Sequence, residues 1–286
     1  MEDNKSLSRQ TSVVICVKNG EGMIRPALES VLRNNPFEVV VVDGHSTDRT
    51  VEIVKGMNIP VVSDSGKGIA CARRAGVENT SGRWVMFVGP DNVLPDNFIE
   101  QFLTLKQQWG FHAASAQTRV LSPKTYWDRG MDFRYLCTTG ESGPRTIVGT
   151  PSVYDHSLFN EVQFSDKDFG GADDTDVAEQ LLARGYKLGV VPLLVHEQPG
   201  STMKMMWKRF RWYGTGDYCF YHRYQGGWSF RRRLKSVFHP FRQAMISMGR
   251  AIRQGRIDLS AWLVFTMVAR YKGWIDYALA GKTKHD

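Results

Sequence analysis

The chain has 286 residues, 42% hydrophobic and 23% charged, with a net charge of +8. That composition excludes a disordered chain, a collagen and a disulfide scaffold, and the length fits one large domain or one domain with an appendage. The charge is uneven: the stretch from Gly200 onward holds 17 Lys and Arg against 4 Asp and Glu, and the first 199 residues hold 20 against 25. The opening MEDNKSLSRQ lacks the apolar core of a secretory leader. No apolar run reaches the roughly 18 residues of a membrane span; the best candidate, Ala261 to Ala269, is cut off by Arg270 and Lys272. Cys16, Cys71, Cys137 and Cys219 show no paired spacing. They are expected to be free thiols in a reducing, cytoplasmic compartment.

In chain order, short β-branched runs predict strands at Ser12–Val17, Glu38–Val42, Pro60–Ser63 and Trp84–Val88. Helical spacing separates them: Ile24, Leu28 and Leu32, then Val51, Val54 and Met57, then the alanine-rich stretch from Lys67 to Asn79. Nearly continuous apolar strands alternating with helices predict an α/β fold with a mostly parallel central sheet flanked by helices. Ala113–Val120 and Thr146–Tyr154 read as further strands, Ala172–Arg184 as a helix stopped by Gly185, and Tyr186–Val195 as a buried strand. From Ser201 the pattern is helical. Leu234, Val237, Phe238, Phe241, Met245, Met248 and Ile252 recur at steps of three and four, and Pro240 breaks the stretch in two. The expected organisation is an α/β domain over 1–200, itself in two halves, about 10–110 and about 111–200. A basic, aromatic helical extension over 201–286 follows.

Parallel sheets bind ligands beyond the carboxyl ends of their strands. Lys18-Asn19-Gly20-Glu21, Asp43 to Asp48, and Gly89-Pro90-Asp91-Asn92 follow three of the strands and should converge on one edge. Asp43 and Asp91, with Asp173, Asp174 and Asp176 at the later helix start, are carboxylates suited to a hard cation, Mg²⁺ or Mn²⁺, serving a diphosphate. Each Asp taken singly reads first as a turn former or a helix cap; it is their order along the chain that points to a site.

Four ordered blocks carry a resemblance. SVVICVKNGEG, VVVVDGHSTDRT, GKGIACARRAGVENTSGRWVMFVGPDN and FGGADDTDVAEQLLARGYKL resemble successive motifs of the family 2 glycosyltransferases, from about Ser12 to Gly216. The resemblance implies a GT-A type, Rossmann-like fold and an inverting transfer of a sugar from a UDP- or GDP-linked donor. It implies a hydroxyl acceptor, a glycan or lipid-linked glycan of a cell-surface polysaccharide or glycoconjugate pathway. Cys16, Lys18, Asn19, Glu21, Asp43, Gly44, Lys67, Arg73, Gly89, Pro90 and Asp91 fall at donor-binding positions. Asp174 matches the general base, with Asp173 where Glu is usual, and Asp91 and His196 match the metal positions.

The chain departs from the pattern at several points. Gly89 replaces the first Asp of D-x-D, Cys16 stands where many members have Pro, and Arg74 where many have Asn. Gly89 keeps a second reading open, a nucleotide-sugar-binding protein without turnover. The basic extension suggests an anionic membrane surface, such as the inner face of the cytoplasmic membrane, or else a stripe packed on the protein. No helix-turn-helix, zinc or RNA-recognition signature accompanies the basic residues, so no nucleic-acid partner is expected.

Overall fold

The structure is a computed structural model that describes residues 6–64 and 66–282, the last two by backbone alone. The first five residues of the opening stretch, and 283–286 of the extension, lie outside the described residues. The chain forms two compact units: one comprises the residues up to Leu121, Thr139–Asp168 and Asp174–Gln198, and the other Ser122–Thr138, Phe169–Asp173 and the residues from Pro199 on.

In chain order the elements begin with β1 (Thr11–Val17), α1 (Ile24–Arg33), β2 (Glu38–Asp43), α2 (Thr50–Gly56) and β3 (Val61–Ser63). Then come α3 (Ile69–Glu78), β4 (Trp84–Phe87), β5 (Asn92–Val93), α4 (Phe98–Gln108) and β6 (Ala113–Val120). After α5 (Tyr126–Thr138), which belongs to the second unit, follow β7 (Gly143–Pro144), β8 (Ser152–Asp155), α6 (Asp173–Ala183) and β9 (Leu188–Glu197). The chain ends with α7 (Met203–Tyr224), α8 (Phe230–Val237), α9 (His239–Arg253) and α10 (Ser260–Lys282).

In the first unit the strands form one sheet in the order β3-β2-β1-β4-β8-β6-β9-β5, with β7 beside β9. The block β3-β2-β1-β4 is parallel, as is the long β6–β9 pair; β8, β5 and β7 pair antiparallel. Alternate side chains serve opposite faces. Val13, Ile15, Val41 and Met86 meet Leu28 of α1 and Phe102 of α4 on one face. Val14, Val40, Val42 and Phe87 meet Ala72 of α3 and Leu181 of α6 on the other. Each fully buried side chain of this size stabilises by about 1.5–3 kcal/mol.

Two strands differ from the reading of their residues. Thr146–Tyr154 is extended only as β8, because the Arg145 N–H pairs with Leu188 and Pro151 has no amide hydrogen to offer a ladder. The strand expected at Tyr186–Val195 runs instead from Leu188 to Glu197, with a register break opposite Ala116/Gln117, so His196 lies inside β9 rather than after it.

In the second unit α7 and α10 approach backbone to backbone. A Cβ on Gly214 would fall 1.9 Å from the Arg270 carbonyl, and one on Gly273 would fall 1.9 Å from that of Arg211. Arg270 makes a two-bond ion pair with Asp217 across this contact. The guanidinium of Arg134 lies 5.2 Å from the ring centres of both Phe210 and Tyr213. Burial, with Arg270 nearby, holds His239 down at about 4. The helical break falls as expected, with Pro240 in the first turn of α9. None of the four cysteines is in a disulfide. Among the described residues no helix is long and apolar enough to cross a membrane.

Candidate active site

The loops after β1 and β2 are bonded to each other. Asn19 takes a left-handed conformation at φ 54, which Asn tolerates. Its N–H donates to Ser46 Oγ at 2.8 Å, and its Oδ1 accepts the Thr47 N–H at 2.8 Å. Glu21 repeats the exchange: its N–H donates to Asp48 Oδ2 at 3.1 Å and its Oε2 accepts the Arg49 N–H at 3.0 Å. Desolvation would raise the Asp48 carboxyl, but the Thr50 hydroxyl and the amides that bond it hold it below the usual range. These motif residues therefore tie the two loops into one wall. The Gly44 N–H closes the same corner on the Val17 carbonyl at 2.8 Å, with Lys18 packed beside it. Cys16 is half-buried on the α3 side of the sheet.

Behind that wall lies a group of acids. Asp43, buried at the end of β2, accepts the Ser46 N–H. Its backbone carbonyl accepts the N–H of Asp64, which is buried just past β3. Asp64 Oδ1 in turn accepts the Gly66 N–H at 2.6 Å. Asp168 approaches the start of α3 so closely that a Cβ on Gly68 would meet its Oδ1 at 2.9 Å. The nearby Cys71 thiol is pushed up by burial, and the charges of Asp166, Asp64 and Asp168 act in the same sense while Lys67 opposes them.

Arg73 of α3 is buried, and its Nη2 donates to Thr150 Oγ1 at 2.7 Å. Its guanidinium lies 5.4 Å from the centre of Phe87, the last residue of β4. The next link is Gly149, where an added Cβ would meet only Asp174 Oδ2 within 4 Å, at 3.8 Å. Asp174 Oδ1 is held by the Thr175 N–H at 2.7 Å and the Thr175 hydroxyl at 3.2 Å. Asp174 is half-buried, whereas Asp173 and Asp176 are buried. Because Ser152 pairs with Phe87, residues 149–151 run beside the carboxyl end of β4, so Asp174 shares the edge that carries the turn after β4.

In that turn the Gly89 N–H donates to Asn92 Oδ1 at 2.9 Å. A Cβ on Gly89 would lie 2.6 Å from Asp91 Oδ1 and 2.9 Å from Asn92 Oδ1, so the side chains of its own turn fill the place of the first D-x-D carboxylate. A Cβ on Gly20 would lie 4.0 Å from Pro90 Cβ, so this turn comes near the β1 loop. The Asp91 carbonyl accepts the Gln198 N–H at 2.8 Å, while His196 is paired with Val93 and Arg119 inside the sheet. Among the described residues no three or more His, Cys, Asp or Glu gather into a metal-holding group. A closed protein cage is therefore not what these residues make. A lone carboxylate does fit the Mg²⁺ mode that takes one or two carboxylates and completes its shell with substrate phosphates and water.

Asp64, Thr150 and Asp168 went unnamed in the reading of the sequence. Asp64 carries a usable signal, since it stands at the carboxyl end of β3 as Asp43 does at that of β2. The contacts of Thr150 and Asp168 depend on residues 77 and about 100 positions away and leave no local pattern.

A parallel β3-β2-β1-β4 block with its polar loops at the carboxyl edge, extended by antiparallel β8 and the β6–β9 pair, is the GT-A glycosyltransferase fold. The family model described as glycosyl transferase family 2 matches residues 12–161, and the chain belongs to that family. A "PGL/p-HBAD biosynthesis glycosyltransferase" of Mycobacterium bovis is 32% identical over 91 residues, 29% of this chain and 36% of the relative. The match thus spans about a third of that relative's length. Among solved structures, Staphylococcus aureus TarS 1–349 superposes with a TM-score of 0.51 at 15% identity, covering 96% of this chain and 91% of that one. The same TarS segment has also been solved in complex with UDP-GlcNAc. GalNAc-T7, solved with UDP, GalNAc and Mn²⁺, superposes with a TM-score of 0.53 at 17% identity, covering 77% and 51%. At these identities the structures speak for the fold alone.

Proposed function

We propose that the chain transfers a hexosyl group, with inversion, from a nucleoside-diphosphate sugar to a hydroxyl of a glycan or lipid-linked glycan in a cell-surface polysaccharide or glycoconjugate pathway. Residues 1–200 carry the chemistry, and the segment from 201 on is an extension to them, helical over most of its described residues. The observation that carries the reading is the gathering of the β1, β2 and β4 loops and Asp174 at one sheet edge in a family 2 chain. Asp43, Asp64 and the β1 loop form the wall against which base and ribose lie. Asp174 takes the acceptor proton: Thr175 fixes one oxygen, and the other lies 3.8 Å from where a Cβ on Gly149 would stand. Asp91 holds Mg²⁺ or Mn²⁺, which would supply positive charge to the departing phosphate. UDP-linked donors come first because TarS and GalNAc-T7 were solved with UDP compounds. The four thiols, none in a disulfide, fit a cytoplasmic location.

A panel of nucleotide sugars screened by thermal unfolding, with and without Mn²⁺, tests donor binding. A true donor at about 100 times its Kd adds roughly 2.7 kcal/mol, or on the order of 5 °C for a chain of this size. A panel without any shift rejects the reading. Binding without turnover is the second reading, favoured by Gly89. Release of nucleoside diphosphate in the presence of an acceptor decides against it.

A further inference from the structure

We propose that the outer face of α8 and α9 is a docking surface for an anionic lipid bilayer. An amphipathic helix of a folded unit ordinarily turns its apolar stripe inward. Here α9 does the reverse. Its inward positions are Pro240, Ser247 and Ala251, all buried. Phe241, Met245 and Ile252, at steps of four and seven, are 48%, 54% and 57% exposed. Leu234 and Phe238 continue the row at 41% and 55%, and Phe230 at the start of α8 is 73% exposed. Contiguous large apolar side chains on a surface mark a contact that the monomer does not make.

Charge selects the occupant. From Tyr218 to Ile257 the chain holds nine Lys and Arg and no Asp or Glu. Arg231, Arg232, Arg233 and Lys235 of α8 and Arg242 and Arg253 of α9 are all exposed. A second copy of this face would set these cations against their own kind, and like charges at a contact are costly. An anionic bilayer satisfies both features: the apolar row enters the headgroup boundary and the cations meet phosphates. α9, with 15 residues, lies in the interface plane over about 22 Å.

The test uses the whole chain and reads binding, so it stands apart from whether sugar transfer occurs. The chain is sedimented with vesicles of phosphatidylcholine alone and of phosphatidylcholine containing phosphatidylglycerol, at low and high salt. The expected result is binding to the anionic vesicles only, weakened by salt. Arg231→Gln, Arg242→Gln and Arg253→Gln each reduce the partition coefficient roughly fivefold. Phe241→Ser, Met245→Ser and Ile252→Ser together reduce it about tenfold or more, and each alone by part of that. All are surface positions, so thermal unfolding should match the parent. Equal binding to neutral vesicles overturns the proposal, as does full binding by the serine variants. Lipid-free self-association that the serine variants abolish also overturns it, by naming a second copy as the occupant.

Discussion

Arg73 and Thr150, 77 residues apart, are joined by a 2.7 Å hydrogen bond that ties α3 to the segment beside Asp174. Arg73 stands at a position the family pattern assigns to the donor; its Nη2 bonds Thr150 and its guanidinium lies over the Phe87 ring. We propose that Arg73 positions residues 149–151. Lys cannot reproduce a planar, stacked fork. Arg73→Lys and Thr150→Val should each lower kcat about 10- to 100-fold by letting residues 149–151 drift, with a stability loss of about 1–3 kcal/mol. Steady-state kinetics and urea titration measure the two effects; unchanged kcat in both variants removes the positioning role.

Asp174→Asn keeps the shape of the side chain and removes its basicity. Turnover should fall by about 10²–10⁴ while donor affinity holds. Calorimetric titration with donor, run beside initial rates, separates the two. A variant that turns over like the parent assigns the base elsewhere.

Lys106 and Asp155 form an asymmetric pair at 2.8 Å, the lysine side chain 3% exposed and the aspartate 34%. Burial holds the Lys106 ammonium below its ordinary value, with Asp155 acting against that. Water can reach Asp155 but not Lys106. Asp155→Ala therefore leaves a buried charge and should cost about 3 kcal/mol or more, whereas Lys106→Met should cost far less. The pH sign follows. Folding disfavours the protonated amine, so the unfolded chain binds more protons between the folded pKa and 10.5, and stability rises with pH across that window. Urea midpoints that stay flat for Asp155→Ala as pH climbs toward 10.5 would contradict this account.

Asp128 fixes the start of α5 in the second unit. It makes a reciprocal capping box with Thr125, at 3.0 and 3.2 Å, and its Oδ1 accepts the Gly200 and Ser201 N–H groups at 3.0 and 2.8 Å. Desolvation would raise this carboxyl, but the Gly200 and Ser201 amides and Thr125 hold it below 3.8. A depressed carboxyl stabilises above its unfolded pKa and loses that stabilisation as pH falls through its folded one. Asp128→Asn should thus cost about 1–3 kcal/mol at neutral pH, and the gap to the parent should close in acid. A gap that persists at low pH would assign the loss to packing.

The sequence by itself determined the parts that rest on local pattern. The β-branched runs placed β1, β2 and β4 within a residue of their observed ends, because a buried parallel strand needs an unbroken apolar run. The strand-end rule named Asp43 and Asp91. Applied to β3 it would also have named Asp64, and the Thr125-x-x-Asp128 box would have shown α5, whose mixed polar and apolar buried face hides its periodicity. Only the tertiary structure decided the rest. His196 went into the sheet because a register break in β9 moved the strand two residues on. Gly89 proved to be a place already filled by its own turn. The apolar row of α9 turned outward, while Pro240, Ser247 and Ala251 on its other face are buried. Periodicity reports that a helix has two faces; which face is buried depends on what the rest of the fold presents to it.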